Sequence, residues 1–278
     1  MTTYGPLSGF HGALIQPGDP RYDGARQVFN GMIDRHPALI ARCADTEDIS
    51  AAVRFAIDGG HLIAVRGGGH SVAGHAVCDG GVVIDLSQMS TVEVDPARRI
   101  ARAQPGATWH DVDLATGRHG LATPGGVIST TGVAGFTLGG GVGWLSRCYG
   151  LACDNLVGAT LATADDSILQ VSADENPEVL WGLRGGGGNF GVVTTFDYAL
   201  HEIPDVIGGI AAYAATDAES VIAHYQSVMD TAGDELSSIL DLATAADGSG
   251  LQVVTVIACC TRTDESASMI QGSGGSSY

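Results

Sequence analysis

Three dense clusters of glycine constrain this chain more than any other feature of its sequence. They lie at residues 67–69, 139–143 and 185–188, in a chain with 41 glycines among 278 residues. Glycine has no Cβ and adopts positive φ readily, so consecutive glycine amides can converge on an anion such as a pyrophosphate. Tight turns between strands are the alternative explanation of any one cluster. Three clusters in one chain favour a bound ligand.

The third cluster matches the spacing of a dinucleotide-binding fingerprint but not its context. Gly186, Gly188 and Gly191 satisfy the pattern GxGxxG. That fingerprint requires a strand before the glycines and a helix after them, so that the pyrophosphate meets the helix N-terminus. Here the preceding segment VLWGL is helical in pattern and the following segment VVTTF is typical of a strand. A nicotinamide-dependent dehydrogenase is therefore not predicted.

Charge and cysteine content exclude several other classes of protein. The chain has 31 acidic and 13 basic residues, a net charge of −18, and every basic residue is arginine. The absence of lysine excludes a P-loop and a Schiff-base lysine. The negative charge opposes binding to nucleic acid or an anionic membrane, and no apolar run reaches the ~18 residues of a membrane span. The six cysteines form no CxxC pair, which predicts reduced thiols in a soluble, cytoplasmic protein.

Local patterns predict a mixture of helices and strands in the first two thirds of the chain. A strand–helix–strand unit has Asp45 or Thr46 as its helix N-cap, and its second strand runs into the first glycine cluster. Residues 80–106 alternate between apolar and polar side chains, which predicts antiparallel strands with a turn near Asp95. The glycine-rich stretch 121–156 contains no long regular element.

Further elements are predicted on both sides of a boundary near Ile203 and Pro204. Before the boundary we expect a helix over 108–118, a hairpin over 158–172 with its turn at Asp165-Asp166, and a helix, glycine loop and strand over 176–200. After it we expect a helix over 216–232 and strands over 237–244 and 251–260. The last two strands carry apolar faces, Ile239 to Leu242 and Val253 to Ile257, which are expected to lie partly open.

His70 is the candidate functional residue with the most specific context. It ends the sequence RGGGH directly after a predicted buried strand, where Arg66 can offset phosphate charge and three glycines supply amides. The alternatives are an ordinary loop histidine or, together with His75, a pair of metal ligands. No carboxylate or thiol stands at a recognised ligand spacing, so no metal site is predicted.

Four motifs in a fixed order resemble the berberine bridge enzyme-like oxidoreductases, which are flavoproteins of the vanillyl-alcohol oxidase type. The motifs are RGGGHSVAG (66–74), GGVVIDLSQM (80–89), the run from TPGGVIS to LACDN (123–155) and LWGLRGGGGNFGVVTTF (180–196). The resemblance implies an α+β fold in which a two-subdomain, PCMH-type FAD-binding domain spans residues 34–204. It also implies that residues 205–278 are the beginning of an antiparallel-sheet substrate domain, which is incomplete here.

The same resemblance implies a set of FAD-binding residues. Arg66 to Gly69 and Ser71 would line the pyrophosphate, and His70 would be joined covalently to the flavin 8α-methyl group. The glycine run would wrap the ribityl chain and diphosphate, with contacts from Gly191 and Val193 on the other side. The full implied set is Arg66, Gly67, Gly68, Gly69, His70, Ser71, Gly74, Thr131, Gly132, Gly135, Gly139, Gly140, Gly141, Gly191 and Val193. A neutral imidazole is a competent nucleophile near neutral pH, since its free pKa is ~6.5.

Three departures from the family pattern refine this expectation. Ile128 stands where bicovalent members have a cysteine, so attachment through His70 alone is expected. Val72 stands where plant alkaloid-forming members have a tyrosine, which disfavours alkaloid chemistry. Thr131 aligns with the position that gates oxygen access in the family.

The resemblance implies an FAD-dependent oxidase. Such an enzyme removes a hydride from a small-molecule substrate and passes the electrons to O₂, because the cofactor carries the chemistry and the protein orients it. Sugars, hydroxylated secondary metabolites and nicotine-like amines are all compatible substrates, and no catalytic base is assigned. The alternative is a truncated flavin-binding protein without catalytic turnover, because the family's remaining substrate-domain residues are not present in the sequence.

Overall fold

The computed structural model describes residues 7–165, 167–245 and 247–261, which form two compact units. Unit 1 comprises Met1–Gly143 and Leu151–His201, and unit 2 comprises Trp144–Gly150 and Glu202–Tyr278. Both helices and strands are present, and several strands follow one another directly, as expected for an α+β fold. No helix of the described residues is both long enough and apolar enough to cross a membrane.

The first sheet of unit 1 has four strands in the order β1-β2-β4-β3. Its elements are β1 (Ala13–Ile15), β2 (Leu39–Arg42), β3 (Ile63–Arg66) and β4 (Val82–Asp85), with helices α1 (Tyr22–Arg26) and α2 (Thr46–Asp58) between them. The Asp45 side chain accepts a hydrogen bond from Asp48 N at 2.9 Å, which caps α2 and confirms one of the two predicted N-caps.

The prediction for the start of segment 80–106 was wrong. Strand β4 is not part of an antiparallel array but lies between β2 and β3, parallel to both. All four of its residues are buried, which is typical of a strand covered on both faces. Asp85 at its end is fully buried, and Arg42 Nε donates to its carboxylate at 2.8 Å.

The second sheet of unit 1 has five antiparallel strands in the order β5-β6-β10-β8-β9. They are β5 (Val92–Asp95), β6 (Ile100–Ala103), β8 (Leu156–Ala162), β9 (Ile168–Ser172) and β10 (Val192–Ala199). The predicted hairpins are present as β5–β6 and β8–β9. A short ladder joins β7 (Leu121–Ala122) and β11 (His201–Glu202).

Three further helices, α3 (Trp109–Gly117), α4 (Val133–Leu138) and α6 (Pro177–Leu183), belong to unit 1, and the short helix α5 (Ser146–Tyr149) belongs to unit 2. Helix α3 begins with a capping box, in which Thr108 and Asp111 bond reciprocally through side chain and backbone. Trp109, Phe196 and Tyr198 are the largest fully buried side chains of the core of unit 1, which lies between α3, α4 and α6 and the five-stranded sheet.

Unit 2 contains a three-stranded antiparallel sheet in the order β12-β14-β13. Its strands are β12 (Ile207–Ala214), β13 (Leu236–Thr244) and β14 (Gln252–Cys260), and helix α7 (Ala218–Met229) follows a single helical turn at Ala215–Asp217. A cavity of about 170 Å³ between α7 and the sheet is lined by residues that include Tyr213, Tyr225 and Met229. Arg147 of α5 donates to Leu236 O at 2.8 Å, which ties α5 to the start of β13.

Unit 2 differs from the prediction in one strand and in part of its exposed surface. Strand β12 was missed because its sequence, IGGIAAYA, is rich in glycine and alanine and lacks the β-branched pattern of a strand. Ile239 and Leu242 are 42% and 64% exposed, as expected, whereas Val254 on the central strand is fully buried.

Candidate functional site

The first glycine cluster forms a loop that emerges from β3 and packs against the residues before α4. A Cβ added to Gly68 would lie 2.6 Å from Gly132 Cα, and one added to Gly67 would lie 2.8 Å from Pro105 O. Gly69 has φ +72°, a conformation that favours glycine. Gly68 and Gly132 therefore allow two backbone segments to touch, and Gly69 allows the loop to turn toward His70.

All three glycine clusters meet at helix α4. The first cluster meets its beginning, since an added Cβ at Gly67 would lie 3.5 Å from Ala134 Cβ. The second cluster starts where the helix ends at Leu138. The third cluster reaches the same end, because Gly187 N donates a hydrogen bond to Leu138 O at 2.9 Å. The fold thus gathers three segments that the sequence analysis had selected separately.

His70 projects from the first loop toward the segment before α4. Its Nε2 lies 3.1 Å from Thr130 Oγ1, and its Nδ1 lies 3.4 Å from Thr131 Oγ1. Each hydroxyl can donate or accept, so both pairings suit a neutral imidazole of either tautomer. The ring is partly buried, and this burial lowers the pKa of His70 below its ordinary value of 6.5. The neutral, nucleophilic form is therefore the stable one near pH 7.

Arg66 contributes an unsatisfied donor to the same loop. Its Nη1 donates to Ala25 O, whereas its Nε is buried without a hydrogen-bond partner among the described residues. An added Cβ at Gly69 would lie 3.5 Å from that Nε, which places the guanidinium beside the loop backbone. Buried polar groups are normally paired. A buried cationic donor left open beside glycine amides fits the pyrophosphate of FAD.

The second glycine cluster has two different structural requirements. Gly141 has φ +89°, and a Cβ there would lie 2.8 Å from Ala152 Cβ. Gly140 has φ +113°, yet the nearest atom to its added Cβ is Leu151 Cδ1 at 3.8 Å. Gly141 is thus required by protein packing, whereas Gly140 is required by backbone conformation. The protein leaves open space on the Cβ side of Gly140, as it does at Gly135 within α4.

The remaining predicted site residues occupy other positions. Ser71 Oγ accepts from His75 N at 3.1 Å, and Gly74 packs against Ile33, where an added Cβ would lie 2.9 Å from Cδ1. Gly191 has φ +144° and packs on Leu161 at the start of β10. The Val193 side chain is buried in the core of unit 1, so a cofactor contact at this residue would have to use its backbone. These assignments to FAD stay predictions.

The sequence analysis missed one residue that touches His70. The Phe29 ring stacks on the imidazole, with the two ring centroids 4.1 Å apart and an interplanar angle of 15°. Phe29 precedes the predicted domain boundary at residue 34, and a lone aromatic residue before an Asn-Gly pair gives no local signal of such a contact. Only the tertiary fold brings it to the site.

The thiols of unit 1 are poor alternatives to His70 as nucleophiles. Burial raises the pKa of Cys43 and Cys153, which disfavours the reactive thiolate at neutral pH. At the position where a second attachment would need a cysteine, Ile128 is an exposed apolar side chain. His70 is thus the best-placed nucleophile of the site.

This arrangement defines the class of the domain. Residues 37–172 match the family model described as an FAD binding domain. The sequence is 40% identical over 215 residues to (R)-6-hydroxynicotine oxidase of Paenarthrobacter nicotinovorans, an alignment that covers 77% of this chain and 47% of that relative. The chain therefore contains an FAD-binding domain and is homologous to the berberine bridge enzyme-like FAD-linked oxidoreductases, which confirms the resemblance.

Solved structures agree with this assignment. The 6-hydroxy-D-nicotine oxidase of Arthrobacter nicotinovorans superimposes with a TM-score of 0.91 at 32% identity, covering 99% of this chain and 62% of that one. The glucooligosaccharide oxidase of Acremonium strictum, whose structure is described as revealing a novel flavinylation, gives 0.81 at 30% identity, covering 94% and 54%. The α+β fold expected for the family is confirmed. The chain spans about half the length of the curated relatives it matches.

Proposed function

We propose that this chain binds FAD covalently through His70 and forms part of an oxidase that removes a hydride from a small-molecule substrate and passes electrons to O₂. The observation that carries the proposal is the placement of His70. Its imidazole is neutral, held by two threonine hydroxyls, and lies on a glycine loop whose neighbouring Arg66 has an open, buried donor. FAD, when bound, supplies the electron-accepting ring on which hydride removal takes place.

The residues of the chain have separate roles in this proposal. Arg66 offsets the negative charge of the pyrophosphate, and the amides of Gly67 to Gly69 donate hydrogen bonds to its oxygens. The backbone at Gly140 leaves room for an elongated cofactor because no side chain occupies that space. Thr130 and Thr131 hold the imidazole of His70 toward the bound group.

His70 would form one bond, from an imidazole nitrogen to the methyl carbon at flavin position 8α. The nitrogen gives up a proton and the methyl group gives up a hydrogen with its electron pair. O₂ is the oxidant, so an imidazole N–H, a flavin methyl group and O₂ yield an N–CH₂ linkage and H₂O₂. This reaction needs no second nucleophile from the protein. That agrees with Ile128 at the position where bicovalent family members have a cysteine.

The substrate is proposed as a small alcohol or amine. The relatives are named as oxidases of a hydroxylated nicotine and of glucooligosaccharides, so the family name alone does not select between these chemistries. For this chain, the proposal is limited to a small organic molecule with an oxidisable C–H bond beside oxygen or nitrogen. O₂ is the proposed acceptor.

The test is an absorbance spectrum and an intact mass of the purified protein, followed by O₂ consumption with a panel of alcohols, sugars and amines. Flavin bands, a mass increase equal to one FAD less two hydrogens, and O₂ uptake with at least one compound are the expected results. A colourless protein that does not take up added FAD would refute the proposal. A yellow protein that consumes no O₂ with any compound would instead support a flavin-binding protein without turnover.

A further inference from the structure

Phe29 is the side chain that covers one face of the His70 imidazole. The ring centroids are 4.1 Å apart and the planes are 15° from parallel. Phe29 is nevertheless 66% exposed, so its ring is not explained as part of the hydrophobic core. It also precedes residues 37–172, the range that matches the FAD-binding family model. An exposed aromatic side chain that stacks on a histidine of the candidate site is expected to have a role at that histidine.

The backbone around Phe29 is fastened to the loop that carries His70. Phe29 N donates to Gly69 O at 3.1 Å, and Asn30 Nδ2 donates to Val72 O at 2.8 Å. These two hydrogen bonds attach the Phe29–Asn30 segment to the loop backbone on both sides of His70. Ile33 packs against Gly74 further along the same loop. The stacked position of Phe29 is therefore set by the fold and does not depend on the His70 side chain.

The contacts of His70 together fix both the plane and the rotation of its ring. Phe29 fixes the plane of the imidazole, whereas Thr130 and Thr131 fix its rotation within that plane through the two nitrogens. A histidine held only by the two hydroxyls could still tilt out of the plane that they define. Stacking removes that tilt and removes water from one face of the ring.

We infer that Phe29 is a positioning residue for His70, whose stacked ring holds the imidazole in the plane from which its nitrogen joins the flavin. The inference rests on the proposed covalent attachment and adds to it a residue outside the recognised domain. Stacked aromatic rings contribute to stability beyond the area that they bury. The loss of the stack is therefore expected to slow covalent attachment by about three- to tenfold, which is the fold-change equivalent to the free energy that one such pair contributes.

The experiment uses the full chain, prepared without flavin and mixed with FAD, and follows the acid-stable flavin with time. The variants are Phe29→Ala, Phe29→Leu and Phe29→Tyr. Leucine keeps an apolar side chain without a ring, and tyrosine restores the ring. Met32→Ala is the matched control, because Met32 lies in the same segment and its side chain is 90% exposed. Circular dichroism of each variant verifies folding, and the leucine variant replaces the alanine variant if the latter does not fold.

A second readout does not depend on the loaded protein. The imidazole nitrogens of His70 in the flavin-free protein are titrated by ¹⁵N NMR, with His70→Ala used to assign the signals. Because Phe29 helps to bury the ring, its removal is expected to raise the pKa of His70 toward its ordinary value. Tyrosine is expected to keep both the titration and the attachment rate of the wild type, and Met32→Ala is expected to change neither.

The outcomes separate the inference from the proposed function. Wild-type protein that retains flavin in acid, together with Phe29→Ala and Phe29→Leu variants that attach it at the wild-type rate, would overturn the inference alone. An attachment rate that falls equally in the tyrosine variant would also overturn it, since the ring would then not be the cause. Wild-type protein that binds FAD but releases all of it in acid would overturn the covalent assignment and, with it, this role of Phe29.

Discussion

Gly68 and Gly132 face each other across two loops with no room for a side chain on either. A Cβ on Gly68 would lie 2.6 Å from Gly132 Cα, and a Cβ on Gly132 would lie 2.7 Å from Gly68 Cα. The two residues join the loop that carries His70 to the segment that begins α4. Gly68 and Gly132 are therefore required by the contact between the two backbones, independently of any bound ligand.

Gly132→Ala is expected to destabilise the protein by about 1–3 kcal/mol, because the added methyl group forces the two backbones apart. Urea unfolding measures this change, and acid-stable flavin content reports the accompanying displacement of His70. Gly117→Ala is the matched control. Its added Cβ meets no atom within 4 Å in α3, so the substitution should be neutral or slightly stabilising. Equal stability of Gly132→Ala and the wild type would contradict the predicted clash.

Gly140→Val is expected to abolish flavin loading in the protein that remains soluble. The branched side chain would occupy the open space beside the glycine cluster, and the φ of +113° would add backbone strain of about 1–3 kcal/mol. Gly140→Ala introduces the same backbone strain but a smaller side chain, so this variant should lose stability and still bind much of its flavin. The ratio of flavin to protein, measured by absorbance, tests the pair. Normal flavin content in soluble Gly140→Val would show that no ligand occupies this space.

His70→Ala is expected to give protein whose flavin is released completely by acid precipitation. The substitution removes the proposed attachment but leaves Arg66 and the glycine loop, so FAD should still bind reversibly. Peptide mapping of the wild type locates the attached flavin independently. Flavin found on Cys148 or Cys153, or acid-stable flavin in the His70→Ala variant, would show that the assignment of the linkage is wrong.

The stability of the flavin-free protein should depend on pH through His70. Burial lowers the pKa of His70 below 6.5 in the folded state, so the unfolded chain binds this proton more readily. The contribution of the neutral imidazole is therefore fully present above pH 6.5 and is lost as the pH falls below that value. The pKa of His201 is also lowered by burial, whereas the pKa of His11 is raised by its hydrogen bond with Asp45. The difference between wild type and His70→Ala, followed by urea unfolding from about pH 7.5 to 5, isolates His70. A constant difference would exclude the lowered pKa.

Two arginine substitutions should lower the free energy of unfolding by very different amounts, although each leaves one aspartate without its ion-pair partner. Arg42→Ala leaves the fully buried Asp85 without its ion-pair partner and should cost about 3–5 kcal/mol. Arg102→Ala removes an exposed arginine from Asp197 and should cost less than about 1 kcal/mol. Thermal or urea unfolding of the two variants provides the comparison. Similar losses would show that water reaches Asp85.

The sequence by itself determined the elements whose signal is local. The helices α2, α3 and α7 and the hairpins β5–β6 and β8–β9 follow from periodicity, capping residues and turn residues within short windows. The motif order around RGGGH identified the family and selected His70. These features could be predicted because each depends on residues that are neighbours in the chain.

The tertiary structure decided what depends on distant partners. Strand β4 became parallel because β2 and β3 lie on its two sides, and the glycine-rich β12 became a strand because β14 pairs with it along its whole length. The meeting of the three glycine clusters at α4 and the stack of Phe29 on His70 likewise join segments far apart in sequence. Such contacts arise from long-range packing and strand pairing, whose partners are chosen only when the whole domain closes around its core.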